Sequence, residues 1–118
     1  MKVLAIGAHP DDVEIGCGAA LLAHKVAGDD ITLLVMSDGR SGTPSSGASR
    51  GFSDGSRIAE QEEAAAILGA ELIWGGFRDG SVPDGPEAVG VIDDAVRRSG
   101  ADLVYTHAER DSHQDHRV

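Results

Sequence analysis

Four short apolar runs recur along this chain: Val3-Leu4-Ala5-Ile6-Gly7, Ile31-Thr32-Leu33-Leu34-Val35-Met36, Leu72-Ile73-Trp74 and Leu103-Val104-Tyr105-Thr106, each giving way to a polar cluster. Continuous runs of this length suit parallel strands covered on both faces, whereas a sheet with one wet face would alternate apolar and polar residues. Between the runs lie segments with apolar residues at helical spacing. Val13 to Ala27 carries Val13, Ile15, Ala19, Leu22 and Val26; Arg57 to Leu68 carries Ile58, Ala65, Ile67 and Leu68; Pro86 to about Arg98 carries Val89, Ile92, Ala95 and Val96. Gly28, Gly69 and Gly100 stand where each helix should stop, glycine being favoured at left-handed helix ends. Strand and helix in alternation imply right-handed crossovers and an α/β fold. The expected architecture is an open parallel sheet of Rossmann type, in the order 3-2-1-4 with helices on both faces, forming one domain over residues 1–118.

In that order strands one and four are neighbours and the winding reverses between them. Ligands bind such sheets in the crevice at the carboxyl ends of the strands, at this switch point. Two dense polar clusters leave that edge: Ala8-His9-Pro10-Asp11-Asp12 after strand one, and His107-Ala108-Glu109-Arg110-Asp111-Ser112-His113-Gln114-Asp115-His116 after strand four. Pro10 disfavours helical geometry at His9 and suits the first turn of a following helix, so His9, Asp11 and Asp12 crowd one tight turn. One imidazole and two carboxylates suit a divalent metal of zinc type, with a carboxylate to spare for moving protons. The same residues also suit a plain helix N-cap, where carboxylates satisfy backbone N–H groups at the positive end of the dipole. Capping does not explain why a second cluster of the same chemistry converges on the crevice. A catalytic zinc keeps three protein ligands and one open position, and His9, Asp12 and one histidine of the pair His113 and His116 would complete that set. Two further segments should border this edge: a long loop rich in glycine and serine from Ser37 to Gly55, expected to act as a lid or binding segment, and a polar loop from Gly75 to Gly80.

A formal charge of −10 leaves no basic patch to displace counterions from phosphates, which excludes nucleic acid as the expected partner. Lys2 and Lys25 are the only lysines, a composition compatible with a high-salt environment. No apolar run is long enough to span a membrane, and no basic segment leads into a cleavable apolar one, so the expected location is cytoplasmic. Cys17, the one cysteine, sits in Gly16-Cys17-Gly18 and reads as a small packed residue rather than a reactive thiol.

The turn Ala8-His9-Pro10-Asp11-Asp12, continued by Glu14-Ile15-Gly16-Cys17-Gly18, together with the later His113-Gln114-Asp115-His116, resembles the PIG-L or LmbE-like zinc N-deacetylases. Arg57-Ile58-Ala59-Glu60, followed by Ala64-Ala65 and Leu68-Gly69, is similar to that family's middle helix. The family removes acetyl groups from N-acetylglucosamine-type sugars and conjugates. The resemblance implies that His9, Asp12 and His116 bind Zn2+ and that Asp11 is the general base. It further implies that His113, oriented by Asp115, stabilises the oxyanion or protonates the leaving amine, and that Arg57 and Asp79 contact an N-acetylated sugar or sugar conjugate. It also implies that these 118 residues are the N-terminal half of a longer domain, with strand four left as an apolar edge through which copies could pair.

Other residues carry no functional expectation. His24 is taken as a helix-surface residue, His107 as a strand-end residue, Trp74 as core, and Glu60, Glu62 and Glu63 as a solvated helix face. A phosphoacceptor receiver domain would need a lysine late in the chain, and none follows Lys25. A dinucleotide-binding module would need Gly-x-Gly-x-x-Gly after strand one, where His-Pro-Asp-Asp stands instead. The remaining rival is a catalytically silent deacetylase-like fragment that binds metal or a partner.

Overall fold

The computed structural model describes residues 1–10, 12–37, 47–77 and 82–107, and for residues 47–57 it describes the backbone alone. The described elements run β1 (Lys2–Gly7), α1 (Asp12–Val26), β2 (Asp30–Ser37), α2 (Gly47–Leu68), β3 (Glu71–Phe77), α3 (Pro86–Ser99) and β4 (Leu103–Tyr105). The strands form one sheet in the order β3-β2-β1-β4, every pair parallel, as the alternation of runs and helices predicts. β1 pairs with β2 from Lys2 opposite Asp30 to Gly7 opposite Val35, and with β4 from Val3 opposite Leu103 to Ala5 opposite Tyr105.

Successive side chains of the central strands point to opposite faces, so each strand feeds two cores. On one face Val3, Ala5, Ile31 and Leu33 meet Val13 and Leu21 of α1 and Ala65 and Leu68 of α2. On the other, Leu4, Leu34 and Met36 meet Val82 and the α3 residues Ala88 and Ala95. Right-handed crossovers demand this division. Winding from β1 through β2 to β3 puts α1 and α2 on one side, and the return to β4 carries α3 to the other. Gly28, Gly69 and Gly100 all take positive φ, and the Gly100 N–H closes α3 on the Val96 carbonyl.

The buried helix faces agree with the expected ones at Ala65, Leu68 and Ala95, with Ile92 and Val96 packed against the core, and differ elsewhere. In α1 the buried residues are Val13 and Leu21, with Cys17 packed beside them, while Ile15 is 85 % and Val26 89 % exposed. Val13 and Ile15 are two residues apart, about 200° around a helix, and cannot both face the sheet. Similarly Val89 and Ile67 are exposed, and Ala88 and Gln61 are buried in their helices. Glu60, Glu62 and Glu63 are exposed, as expected, and Trp74 is half-buried.

Two expected loops are partly regular structure. Helix α2 begins at Gly47, so the segment 47–55 is helical rather than loop, and Ser37 is the last residue of β2; residues 38–46 lie outside the described ones. The glycines between 47 and 55 lower helix propensity, yet adding residues to an existing helix gains one hydrogen bond each and avoids a new nucleation step. β3 continues through Gly75, Gly76 and Phe77. It does so because Gly75 lies against the backbone of β2: a Cβ there would stand 2.7 Å from the Met36 carbonyl oxygen, beside a register shift between Val35 and Ser37. Among the described residues, no helix is long and apolar enough to cross a membrane.

Candidate active site

β1 ends at Gly7, and the chain turns through Ala8, His9 and Pro10 into α1 at Asp12. The approach is close: a Cβ on Gly7 would lie 2.9 Å from Cγ2 of Val13 and 3.3 Å from Cβ of Asp12. Glycine at the strand end thus lets the first turn of α1 sit directly on β1.

Ala8, buried and without a functional group of its own, is held from both sides. Its carbonyl accepts the Ser37 N–H at 2.9 Å and the Ser37 hydroxyl at 2.7 Å, both from β2. Its N–H donates at 3.0 Å to Nε2 of His107, two residues past β4. The two peptide groups that flank Ala8 are therefore held from opposite sides, Gly7–Ala8 through its N–H to His107 and Ala8–His9 through its carbonyl to Ser37 of β2.

His9 is buried, 6 % exposed, and its backbone N–H donates to Oδ2 of Asp12 at 2.9 Å. Asp12 is the first residue of α1, and this bond closes the turn that leads into the helix. It does not exhaust the carboxylate, which has about four lone-pair sites. His9 Nδ1 lies 3.4 Å and His107 Nε2 3.5 Å from the same Asp12 oxygen. Nε2 of His107 cannot both accept the Ala8 N–H and donate to Asp12. The 3.0 Å contact is a normal hydrogen bond and the 3.5 Å one is beyond that range, so His107 is the acceptor.

With the His107 Nε2 lone pair taken by the Ala8 N–H, the buried imidazole of His9 and the carboxylate of Asp12 remain, donor types suited to a divalent metal of zinc type. His9 and Asp12 fit two positions of such a site. Among the described residues no group of three side chains is arranged to hold a metal. Asp11, Asp79, His113, Asp115 and His116 lie outside the described residues; Arg57 is placed on α2 by its backbone. A cavity of about 130 Å³ opens beside the turn, between α1 and β4, lined by Asp12, Cys17, Tyr105, Thr106 and His107 among others. Larger concavities, of about 410 and 350 Å³, lie between α1 and α2 and at the opposite, amino edge of the sheet, away from this turn.

Two histidines depart from expectation. His107 is part of the site rather than a bystander at a strand end. His24 is half-buried, with Nδ1 2.7 Å from Oδ2 of Asp29 and Nε2 3.0 Å from the Tyr105 hydroxyl, which ties the end of α1 to β4. The His24 hydrogen bond, followed by the Met1 ammonium group, holds the Asp29 carboxyl below its usual value. Burial, followed by the Glu14 charge, pushes the Cys17 thiol up, in line with a packed rather than reactive residue. Sequence reasoning also passed over Ser37 and Gln61. Gln61 is fully buried on α2 and its amide donates to Oε1 of Glu14 at 2.9 Å, joining α2 to α1 two residues beyond Asp12. Its flanking glutamates masked it; the available signal was its place on the stripe Ile58-Gln61-Ala65-Leu68, where a buried amide requires a partner.

Comparison with known proteins identifies the fold and the family. An uncharacterised deacetylase, YaiS, of Escherichia coli is 36% identical over 97% of this chain and 61% of its own length. The N,N'-diacetylchitobiose deacetylase from Pyrococcus horikoshii, solved with an inhibitor, superimposes with a TM-score of 0.86 at 31% identity, over 98% of this chain and 45% of that one. The 4-carboxy-2-hydroxymuconate hydratase GalB from a Pseudomonas superimposes with a TM-score of 0.85 at 25% identity, over 99% of this chain and 52% of that one. The chain thus spans roughly half the length of these relatives. Residues 4–118 match the PIG-L family, described as GlcNAc-PI de-N-acetylase, and the chain belongs to that family.

Proposed function

We propose that this chain supplies the metal-binding half of a hydrolase that removes an N-acetyl group from an N-acetylglucosamine-type sugar or conjugate. The observation that carries the reading is the pairing of buried His9 with Asp12 at the carboxyl end of β1, against the end of β4 from which the chain continues to His113 and His116. His9, Asp12 and His116 would hold Zn2+. The ion supplies Lewis-acid polarisation and hydroxide near neutral pH. Asp11 takes the proton of the attacking water. As the carbonyl carbon gains the water oxygen and loses the amide nitrogen, His113, oriented by Asp115, steadies the developing negative charge or returns a proton to that nitrogen. Acetate and a free amine result. Arg57 and Asp79 orient the sugar.

A second reading is a catalytically silent deacetylase-like chain that binds metal or a partner. Zinc content and acetate release across N-acetyl sugars, sugar phosphates and sugar nucleotides separate them. Asp12→Ala should lose metal and activity together. Asp11→Asn and His113→Ala should keep zinc and lose on the order of 10²- to 10⁴-fold in rate, the usual size of a general acid or base contribution. Zinc without acetate release from any substrate supports the silent reading. Retained activity in all three variants refutes the mechanism.

A further inference from the structure

We propose that His107 is a positioning residue for the metal-binding turn: its Nε2 fixes the Ala8 peptide and thereby the separation of His9 from Asp12. The inference rests on the reading of His9 and Asp12 as metal ligands. β1 stops pairing with β4 at Ala5 opposite Tyr105, so no backbone rung of β4 reaches Ala8. The His107 imidazole takes the place of that rung. It accepts the Ala8 N–H at 3.0 Å, and Ser37 holds the Ala8 carbonyl from β2 with bonds of 2.9 and 2.7 Å. The Ala8 carbonyl shares its amide group with the His9 N–H, which is committed to Asp12 at 2.9 Å, and His107 holds the amide just before it, Gly7–Ala8. A displaced Ala8 N–H would rotate this chain of bonds and carry His9 Nδ1 away from Asp12, now 3.4 Å apart.

The role asks one thing of residue 107, an acceptor atom at the position of Nε2. Glutamine can place its amide oxygen there, whereas alanine cannot. The test compares the chain with His107→Ala and His107→Gln by three measurements: zinc dissociation constant by chelator competition, the visible spectrum of the cobalt(II)-substituted protein, and exchange of the Ala8 amide hydrogen by NMR. His107→Ala should weaken zinc binding about 10- to 100-fold, the range for partners that orient metal ligands, and speed Ala8 exchange. His107→Gln should restore both, with the cobalt spectrum of the unsubstituted chain. If glutamine fails to restore zinc binding and alters the cobalt spectrum, His107 is itself a ligand and positioning is wrong. Equal zinc binding in all three proteins overturns the inference and leaves the metal reading of His9 and Asp12 standing. An unsubstituted chain that binds no zinc overturns that reading and this inference with it.

Discussion

Gly7→Ala tests how tightly the fold holds the turn. The added methyl would stand 2.9 Å from Val13 Cγ2, 3.3 Å from Asp12 Cβ and 3.5 Å from the Val13 nitrogen. Real carbon contacts lie near 3.5–4.0 Å, so α1 must move outward by some tenths of an ångström at the turn that carries Asp12. Overpacking of this kind costs about 1–3 kcal/mol. Gly7 is not among the glycines at positive φ, so alanine also restricts the unfolded chain, which returns about 0.4–1 kcal/mol. The net is a loss of roughly 1 kcal/mol and a Tm lower by about 4 °C for a domain of this size. On the proposed role of Asp12 as a metal ligand, zinc binding should weaken as well, because the displaced turn holds that residue. The decisive assay is a double-mutant cycle with Val13→Ala, read by urea unfolding. Val13 is buried, and its truncation alone costs about 2 kcal/mol. With Cγ2 gone the methyl added at position 7 has room, so the double variant should be more stable than the sum predicts by at least about 0.5 kcal/mol. Additivity, or a Gly7→Ala protein as stable as the parent, would refute the contact on which this reasoning stands.

Gly75→Ala should cost more than Gly7→Ala, because its methyl would meet the carbonyl oxygen and Cα of Met36 at 2.7 and 2.8 Å, backbone atoms that no side-chain truncation can clear; comparing urea midpoints of the two variants checks this. Gln61→Leu withdraws the amide that bonds Glu14, a charge-assisted bond of about 1.5–3 kcal/mol, and the half-exposed carboxylate should bring the observed loss to the low end; Gln61→Glu should be worse at neutral pH and recover toward pH 4, as one carboxylate takes a proton. Asp29 has a folded value below its unfolded one, so its contribution is present above about pH 4 and lost as pH falls through the folded value; Asp29→Asn should flatten the acid limb of the stability profile. Cys17 has a raised folded value, so its contribution is full below about pH 8.5 and fades as pH rises above that; Cys17→Ser should shrink the alkaline loss, and the thiol should react slowly with a disulfide reagent at pH 8 until the chain unfolds.

The sheet order was legible because each apolar run ends in a polar cluster and each helix in a glycine, signals that depend only on neighbouring residues. The phase of α1 was not. Its sequence offers two stripes, Val13-Cys17-Leu21 and Ile15-Ala19-Leu22-Val26, and the second is the more apolar. Contact with Gly7 decides between them. By admitting Val13 against β1, it turns Ile15, about 200° away around the helix, out to solvent; α1 kinks at Cys17, and beyond the kink Leu21 is the buried residue while Leu22 and Val26 are exposed. The same limit explains the early start of α2, where local propensity opposes the helix and only its continuation from residues 57–68 favours it.

At the candidate site, the residues that sequence reasoning selected were those with functional side chains, His9 and Asp12 among them. What it could not select was Ala8, whose side chain does no chemistry and whose peptide nonetheless sets where His9 begins. Its partners lie 29 and 99 residues away, and neither Ser37 nor His107 has a neighbour pattern that marks it. Ser37 read as the start of a loop for want of a following apolar run, and His107 as a strand end because β4 is so short. That shortness is itself the reason a side chain is needed. β2 reaches Ser37 and offers Ala8 a backbone N–H, whereas β4 stops at Tyr105 and can reach Ala8 only through an imidazole. On the proposed reading of His9 and Asp12 as metal ligands, their turn is held on the β2 side by Ser37 and on the β4 side by the imidazole of His107.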